Sequence, residues 1–402
     1  MADMLKLVQP ADRKTALHIA QEFQPKMGKR YASGRNHDRG AGRHTAVSCL
    51  SPYTRRRIIT EQELVQLALD EHGLEGAEKF IQEVFWRSYF KGWLERRPSI
   101  WTEYTTSLET LSFALDESRR MRKDYDAAIE GRTGIECFDV WANELVETGY
   151  LHNHARMWFA SIWIFTLRLP WGLGADFFYT NLLDGDPASN TCSWRWVAGL
   201  HTLGKTYAAS AWNIKKFSDG RFKPNPKDFA TVTGPVDPDA VLPDVSPVRG
   251  FVSPGPTKPS VLVITEEDCS ADLSFFPDMK FDRVIALKAS HLRGTYTNPL
   301  VTEFEENALK DACERLTEMG LPEPEFFMAD DPAPLLEAVE NGQQLVTAFI
   351  PVGPLRDWLT SHGIPLTEVQ RDWDAEIWPA ATAGFFKVKK KIPTVLSKMN
   401  ML

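Results

Sequence analysis

Through most of the first 225 residues, apolar side chains recur three and four positions apart, the spacing that lines one face of an α-helix. Lys14 to Phe23 reads as a short amphipathic helix. Ser51-Pro52 opens another, because Ser caps a helix N-terminus and Pro is tolerated in its first turn. Between Gly76 and Arg96, Phe80, Ile81, Val84, Phe85 and Phe90 form a helical stripe, and Glu83, Trp86 and Arg87 share a second face. Tyr150 to Met157 is also read as helical, with Asn153, Arg156 and Met157 on one side. Tyr31 to Leu50 interrupts the pattern as a polar loop containing Gly and Arg.

Between Pro224 and Pro259 the composition turns to Pro, Gly and Asp, which is the chemistry of a semi-extended linker. Beyond it the period changes. Ser260 to Thr265 and Asp282 to Leu287 are buried-strand runs, followed by a helix over Phe304 to Met319 and a strand at Glu325 to Met328. A helix around Pro334 to Glu340, then Gln344 to Ile350 and Pro365 to Val369, continue the alternation. Strands alternating with helices predict a parallel sheet. The expected architecture is α plus α/β: an all-helical domain over 1–225, a Pro-rich linker over 226–259, and a Rossmann-like α/β domain over 260–402. No GxGxxG follows the first strand, so a dinucleotide fingerprint is absent.

Composition narrows the class. The chain is 43% hydrophobic and 25% charged, with no apolar run near the ~18 residues that cross a bilayer, so no membrane partner is expected. The first residues lack an apolar signal core, which makes the cytoplasm the expected compartment. Five scattered cysteines without CxxC spacing argue against a disulfide framework and a zinc-cysteine site. A net charge of -8 gives no global attraction to nucleic acid, so any DNA contact needs a local basic patch. Candidates are Arg55-Arg56-Arg57; Lys29 and Arg30 with Arg35, Arg39 and Arg43; and Lys205, Lys215, Lys216, Arg221 and Lys223.

Chemistry concentrates at Asp184-Gly185-Asp186-Pro187-Ala188-Ser189-Asn190 and the Trp194-Arg195-Trp196 that follows. Two carboxylates, an amide and two indoles in one short stretch suit a redox cofactor. Arg156 requires a partner, and Asp184 or Asp186 can supply it as a charge-assisted pair against a ligand wall. A purely structural helix-loop salt bridge fits the spacing equally well.

From Thr133 through Trp196, TGIECFDVWANELVETGYLHNHARMWFAS and LLDGDPASNTCSWRW resemble the flavin-binding helical domain of the photolyase and cryptochrome family. Upstream, Tyr31 to Arg35, Val47 to Tyr53 and Glu83-Val84-Phe85-Trp86-Arg87 resemble the same family's flavin-phosphate loop and its E-L-x-W-R helix. The cofactor so implied is FAD. Ser48, Leu50 and Ser51 would face its pyrophosphate near a helix start, where the helix field favours anions. Tyr31 and Arg87 are further cofactor-binding residues implied by the resemblance. Arg156 with Asp184 resembles the ion pair beside the isoalloxazine ring, Asp186 a contact to its polar edge, Asn153 a further contact, and Asn190 the residue facing flavin N5. On the substrate side, Glu83 matches the carboxylate that binds a pyrimidine dimer, Trp86 and Trp196 its aromatic walls, and Met157 the thioether beneath it. Such a dimer must be flipped out of the duplex to react.

Trp194 and Trp171 match the first two members of the family's electron-transfer tryptophans, while Ala128 stands at the third. Tyr125, Trp141, Trp158 and Trp163 are the alternatives for a different route. The segment after Trp196 departs from the family's phosphate-contacting sequence. Residues 260 to 393 resemble the family's α/β domain, here following the flavin domain instead of preceding it, so the expected chain is circularly permuted. Glu266-Glu267-Asp268 replaces the basic residues that follow the first strand, which leaves an antenna chromophore unassigned. Two functions are implied: a photolyase acting on UV-damaged DNA by light-driven electron transfer from reduced FAD, or a cryptochrome-like blue-light receptor with an unknown signalling partner.

Overall fold

The computed structural model describes residues 10–231, 233–250, 254–255, 257–272, 276 and 279–402. The first nine residues, which bear on the expected compartment, and positions 232, 251–253 and 256 of the expected linker lie outside the described residues. Twelve α-helices precede the first strand among the described residues: α1 (Arg13–Phe23), α2 (Lys29–Gly34), α3 (Ser51–Arg55), α4 (Glu61–Gly76), α5 (Glu78–Glu95), α6 (Ser99–Glu117), α7 (Arg119–Ile129), α8 (Glu136–Thr148), α9 (Asn153–Ser161), α10 (Trp171–Asn181), α11 (Pro187–Val197) and α12 (Ala211–Phe217). None of the described helices is long and apolar enough to cross a membrane.

Packing groups the chain into two units, one of 29–49 with 97–245, the other of 10–28, 50–96 and 246–402. The second unit holds the sheet and also takes in α1 and α3 to α5. A physical reason is visible on α5. Phe85 packs on Trp373 at 4.7 Å between ring centroids, and Trp373 Nε1 donates to Ser88 Oγ at 2.7 Å. Gly92 lies against Trp378 so closely that a Cβ there would overlap the indole. A helix whose apolar stripe is covered by such rings folds with them, whatever composition marks as a seam.

Within that unit, β1 (Ser260–Thr265), β2 (Arg283–Lys288), β3 (Glu325–Met328), β4 (Gln344–Ala348) and β5 (Leu366–Val369) form one parallel sheet in the order β3-β2-β1-β4-β5. Val263 pairs with Ile285 and Val261 with Leu345, and all six residues of β1 are buried. This explains the apolar run Val261 to Ile264, since a central parallel strand is covered on both faces. Between β2 and β3 lies α13 (Pro299–Glu318), and α16 (Asp372–Ile377) follows β5. Leu335 and Ala338 of α14 (Ala333–Glu340) and Leu355 and Leu359 of α15 (Pro354–Ser361) join Val261, Val263, Ile285 and Leu345 in one core.

Two sequence expectations need correction. Ser51 is the first helical residue of α3 rather than its cap; Leu50 precedes it, and Pro52 occupies the first turn as expected. Arg55, Arg56 and Arg57 are no DNA-facing patch. They are only 1–6% exposed, because each meets a carboxylate of the same unit. Arg55 forks onto Glu267 at 2.6 and 2.7 Å, Arg56 pairs with Glu305, and Arg57 holds Asp374 at 2.7 and 2.8 Å. Of the acidic trio after β1, Glu267 pairs with Arg55 and Asp268 lies 3.3 Å from Arg57, while Glu305 and Asp374 come from later in the chain.

Burial alone would push the carboxyls of Glu267 and Asp268 upward. The Arg55 guanidinium beside Glu267 and that of Arg371 beside Asp268 outweigh it, holding each at about 2, below the ordinary 4.5 and 3.8. Their contribution is thus complete above pH ~4.5 and is lost as pH falls toward 2. Acid titration followed by far-UV circular dichroism should show a transition in that window, and Glu267→Gln should reduce its steepness. A transition of unchanged steepness would refute this assignment.

Candidate functional site

The expected site residues fall in both units. Tyr31, Ser48, Asn153, Arg156, Met157, Trp171, Asp184, Asp186, Asn190, Trp194 and Trp196 belong to the helical unit, whereas Leu50, Ser51, Glu83, Trp86 and Arg87 belong to the sheet-containing one.

In the helical unit, the link between α10 and α11 is set by its own sequence. Leu183 N–H donates to Gly149 C=O at 2.8 Å, and Gly149 ends α8 with φ 65°, a left-handed conformation that costs glycine little. Asp186 then caps α11, accepting from the Ala188 and Ser189 amides at 3.0 and 2.8 Å, with Pro187 in the first turn. This is the local signature of a helix N-terminus. Helix α9 begins at Asn153 rather than Tyr150, because His152 caps it through Nδ1.

Arg156 donates through Nε to Leu151 C=O at 2.8 Å and through Nη2 to Asp184 at 2.9 Å. Of the two carboxylates left open by spacing, Asp184 is the partner. Its side chain is 5% exposed and that of Arg156 23%. Burial pushes the Cys49 thiol up to about 11, and Tyr150, Asp184 and Arg156 are near enough to influence it. The loop carrying Ser48 thus arrives beside the Arg156–Asp184 pair. Tyr31 is buried on α2, Ser48 and Met157 are half-buried, and Asn153 is exposed. Asn190 is buried, its side-chain amide donating to Ala175 C=O at 2.8 Å, which fixes the orientation of the rest of the group. A guanidinium-carboxylate pair, a second carboxylate and an oriented amide make a donor set that fits the alternating N–H and C=O edge of a flavin.

Trp194 and Trp171 each have their own aromatic neighbours. Trp194 packs edge-on against Phe178 at 5.1 Å and Trp163 at 6.2 Å, and Trp163 meets Tyr125 at 6.0 Å. Trp163 sits in a π-helical turn at Ile162–Thr166 and donates its indole N–H to Pro170 C=O. Gly174 makes the approach of the two indoles feasible, since a Cβ there would overlap Trp194 and crowd Trp163. Trp171 instead stacks on Tyr104 at 5.5 Å and lies under the Arg195 guanidinium at 5.9 Å. Trp141 and Trp158 stack on each other at 5.4 Å in the interior. Trp196 is half-buried against Tyr207 at 5.5 Å.

In the sheet-containing unit, Leu50 and Ser51 lead into α3, while Glu83, Trp86 and Arg87 lie half-buried on α5 as the helical spacing predicts. Trp86 is stacked face-on by Phe385 at 4.0 Å and 14° between planes, a neighbour that local spacing does not reveal. Among the exposed basic residues are Lys205, Lys215, Lys216 and Lys223, the Lys216 ammonium lying 4.9 Å from the ring centre of the exposed Trp212.

Residues 80–222 match the family model described as the FAD binding domain of DNA photolyase. The segment over 80–222 is therefore a photolyase-type FAD-binding domain, and in it the chain is similar to the photolyase and cryptochrome family. The deoxyribodipyrimidine photo-lyase of Streptomyces griseus is 35% identical over 167 residues, covering 41% of this chain and 34% of that one. A deoxyribodipyrimidine photo-lyase of Thermus thermophilus is 32% identical over 202 residues, covering 49% and 44%. The chain thus spans less than half the length of these curated relatives. Among solved structures, a class III photolyase from Agrobacterium tumefaciens aligns at 25% identity over 52% of this chain and 43% of that one, with a TM-score of 0.41. A Synechocystis cryptochrome aligns at 21% identity over the same shares, with a TM-score of 0.41.

Proposed function

We propose that the chain is a light-dependent FAD protein that repairs cyclobutane pyrimidine dimers in DNA. The observation that carries this reading is the Arg156–Asp184 pair with Asp186 and the oriented Asn190, inside a segment that matches a photolyase FAD-binding domain. FAD held there supplies an electron on excitation by light. Arg156 and Asp184 would orient the ring, Asp186 its polar edge, and Asn190 the environment of N5, with Tyr31, Ser48, Leu50, Ser51, Arg87 and Asn153 as further cofactor contacts. Glu83, in its protonated form, would donate a hydrogen bond to the dimer's carbonyls, with Trp86, Trp196 and Met157 as further substrate contacts. The helical-then-α/β order supports a circularly permuted arrangement of 1–225 and 260–402 about the 226–259 linker. An irradiated oligonucleotide incubated with the reduced protein should lose its dimers under blue light and keep them in darkness. Glu83→Gln should slow this at least tenfold while flavin remains bound, and an unchanged dimer with the reduced parent protein would refute the reading.

The alternative, a blue-light receptor without repair, is favoured by one specific observation. Trp86 and Trp196, the expected dimer walls, already pack against Phe385 and Tyr207 within their own units. Stacking of this kind contributes about 0.5–1.5 kcal/mol beyond area burial, which a flipped base would have to displace. Phe385→Ala should therefore tighten binding of dimer-containing DNA up to about tenfold if Trp86 receives substrate. Unchanged binding would favour the receptor reading.

The ring contacts support Trp194, Trp163 and Tyr125 as the path by which electrons enter. Tyr125 lies one turn before Ala128 on α7, so it occupies the helix face on which the resemblance puts the third tryptophan. Trp163→Phe should slow flavin photoreduction more than Trp171→Phe, measured by bleaching of the flavin absorption under blue light with reductant. The reverse order would restore Trp171 as the second member.

A further inference from the structure

The geometry points to a binding site for one divalent transition-metal ion of zinc's class, formed by Asp38, His44 and Glu144 in the helical unit. The ligand atoms of these three side chains lie within 4.8 Å of one another. Metal bonds of about 2.0–2.2 Å to imidazole nitrogen and carboxylate oxygen in tetrahedral geometry place two ligands about 3.4 Å apart, so closure draws the most separated pair inward by at most about 1.4 Å, within reach of side-chain rotation.

Two members of the cluster, His44 and Glu144, carry polar atoms that the protein leaves unpaired. Both ring nitrogens of His44 are buried without a hydrogen-bond partner, as is Glu144 Oε1, on a residue only 7% exposed. Buried polar atoms in this condition are costly, and one ion would engage all three side chains at once. Imidazole with two carboxylates is the donor set of a borderline cation rather than of magnesium.

The surroundings already hold the ligands in place. Asp38, fully buried, accepts from Trp141 Nε1 at 2.9 Å and from the Gly40 amide at 3.1 Å. His44 stacks on the His152 ring at 5.1 Å, which fixes its plane. Such outer contacts orient metal ligands. Arg221 reaches Asp38 at 2.6 Å and Glu144 at 3.6 Å, and its side chain is 19% exposed. The ion would tie the 35–49 segment to α8, and so anchor the loop that carries Ser48.

The full-length protein, stripped with chelator and dialysed, should bind one Zn²⁺ per chain by calorimetry, with Mn²⁺ weaker and Mg²⁺ weaker still. Co²⁺ should develop ligand-field absorption at wavelengths longer than the flavin bands. His44→Ala and Glu144→Gln should each weaken Zn²⁺ at least tenfold, whereas His18→Ala, on the exposed face of α1, should change nothing. Should either ligand variant fail to fold, as read by circular dichroism, His44→Gln replaces it and the parent's Co²⁺ spectrum decides independently. No Co²⁺ band in the parent, or equal Zn²⁺ affinity in folded ligand variants, would overturn the site.

Discussion

Asp184→Ala should yield a folded protein that has lost its flavin. Asp184 accepts from Arg156 at 2.9 Å, and its side chain is almost entirely buried. Removing it leaves a guanidinium with one carbonyl partner and takes away the carboxylate proposed to orient the ring. A hydrogen bond to a charged group contributes about 1.5–3 kcal/mol, and every ~1.4 kcal/mol is tenfold in affinity, so FAD should bind about ten- to a hundredfold more weakly. The loop itself should persist, because Leu183 is held by Gly149 C=O, and Asp186, not Asp184, caps α11. The flavin-to-protein ratio after purification, from absorbance, measures the loss, with circular dichroism reporting the fold. Full flavin occupancy in Asp184→Ala would remove this pair from the cofactor site. Asp186→Asn provides the contrast: its side-chain oxygen keeps the cap, so any flavin loss there reports the missing charge.

What was legible in the chain was local. Val261 to Ile264 of β1 run apolar because both faces of that strand are covered, and the strands and helices after residue 260 appear where the period changes. The Asp184–Asn190 segment was readable because cap, proline and loop lie within one turn of each other. The choice between Asp184 and Asp186 for Arg156 was not, since either carboxylate satisfies the spacing; capping geometry commits Asp186 to the backbone of α11 and leaves Asp184 for the guanidinium. Pairings across long separations were illegible for the same reason. Trp163 and Trp194 meet 31 positions apart, and the one available sign was Gly174, a glycine inside a helix where a side chain would collide with both. Phe385 on Trp86 had no sign at all. The arginine trio misled because a run of like charge is ordinarily solvated, and only the fold brings Glu267, Glu305 and Asp374 to it.

Arg57→Ala should cost about 3–5 kcal/mol of unfolding free energy, the range for removing one partner of a buried ion pair. Arg57 binds Asp374 through both carboxylate oxygens and also reaches Glu61 and Asp268 at 3.3 Å, so its removal leaves three acidic groups in a buried setting with one fewer cation. Its backbone sits at φ 51°, a left-handed conformation that a non-glycine residue adopts at a cost of about 1–2 kcal/mol. That cost is borne because the turn aims the guanidinium inward, where Ser270 Oγ also donates to the Arg57 carbonyl. Three variants separate the contributions. Arg57→Gly removes the charge and relieves the backbone, so it should be less destabilising than Arg57→Ala by the strain released. Arg57→Lys keeps a charge but cannot fork onto both Asp374 oxygens, so it should recover only part of the loss. Urea unfolding followed by circular dichroism gives the ranking: parent, then Lys, then Gly, then Ala. If instead Arg57→Ala unfolds like the parent while DNA binding drops, the arginine run is a nucleic-acid contact after all and the buried-hub assignment fails.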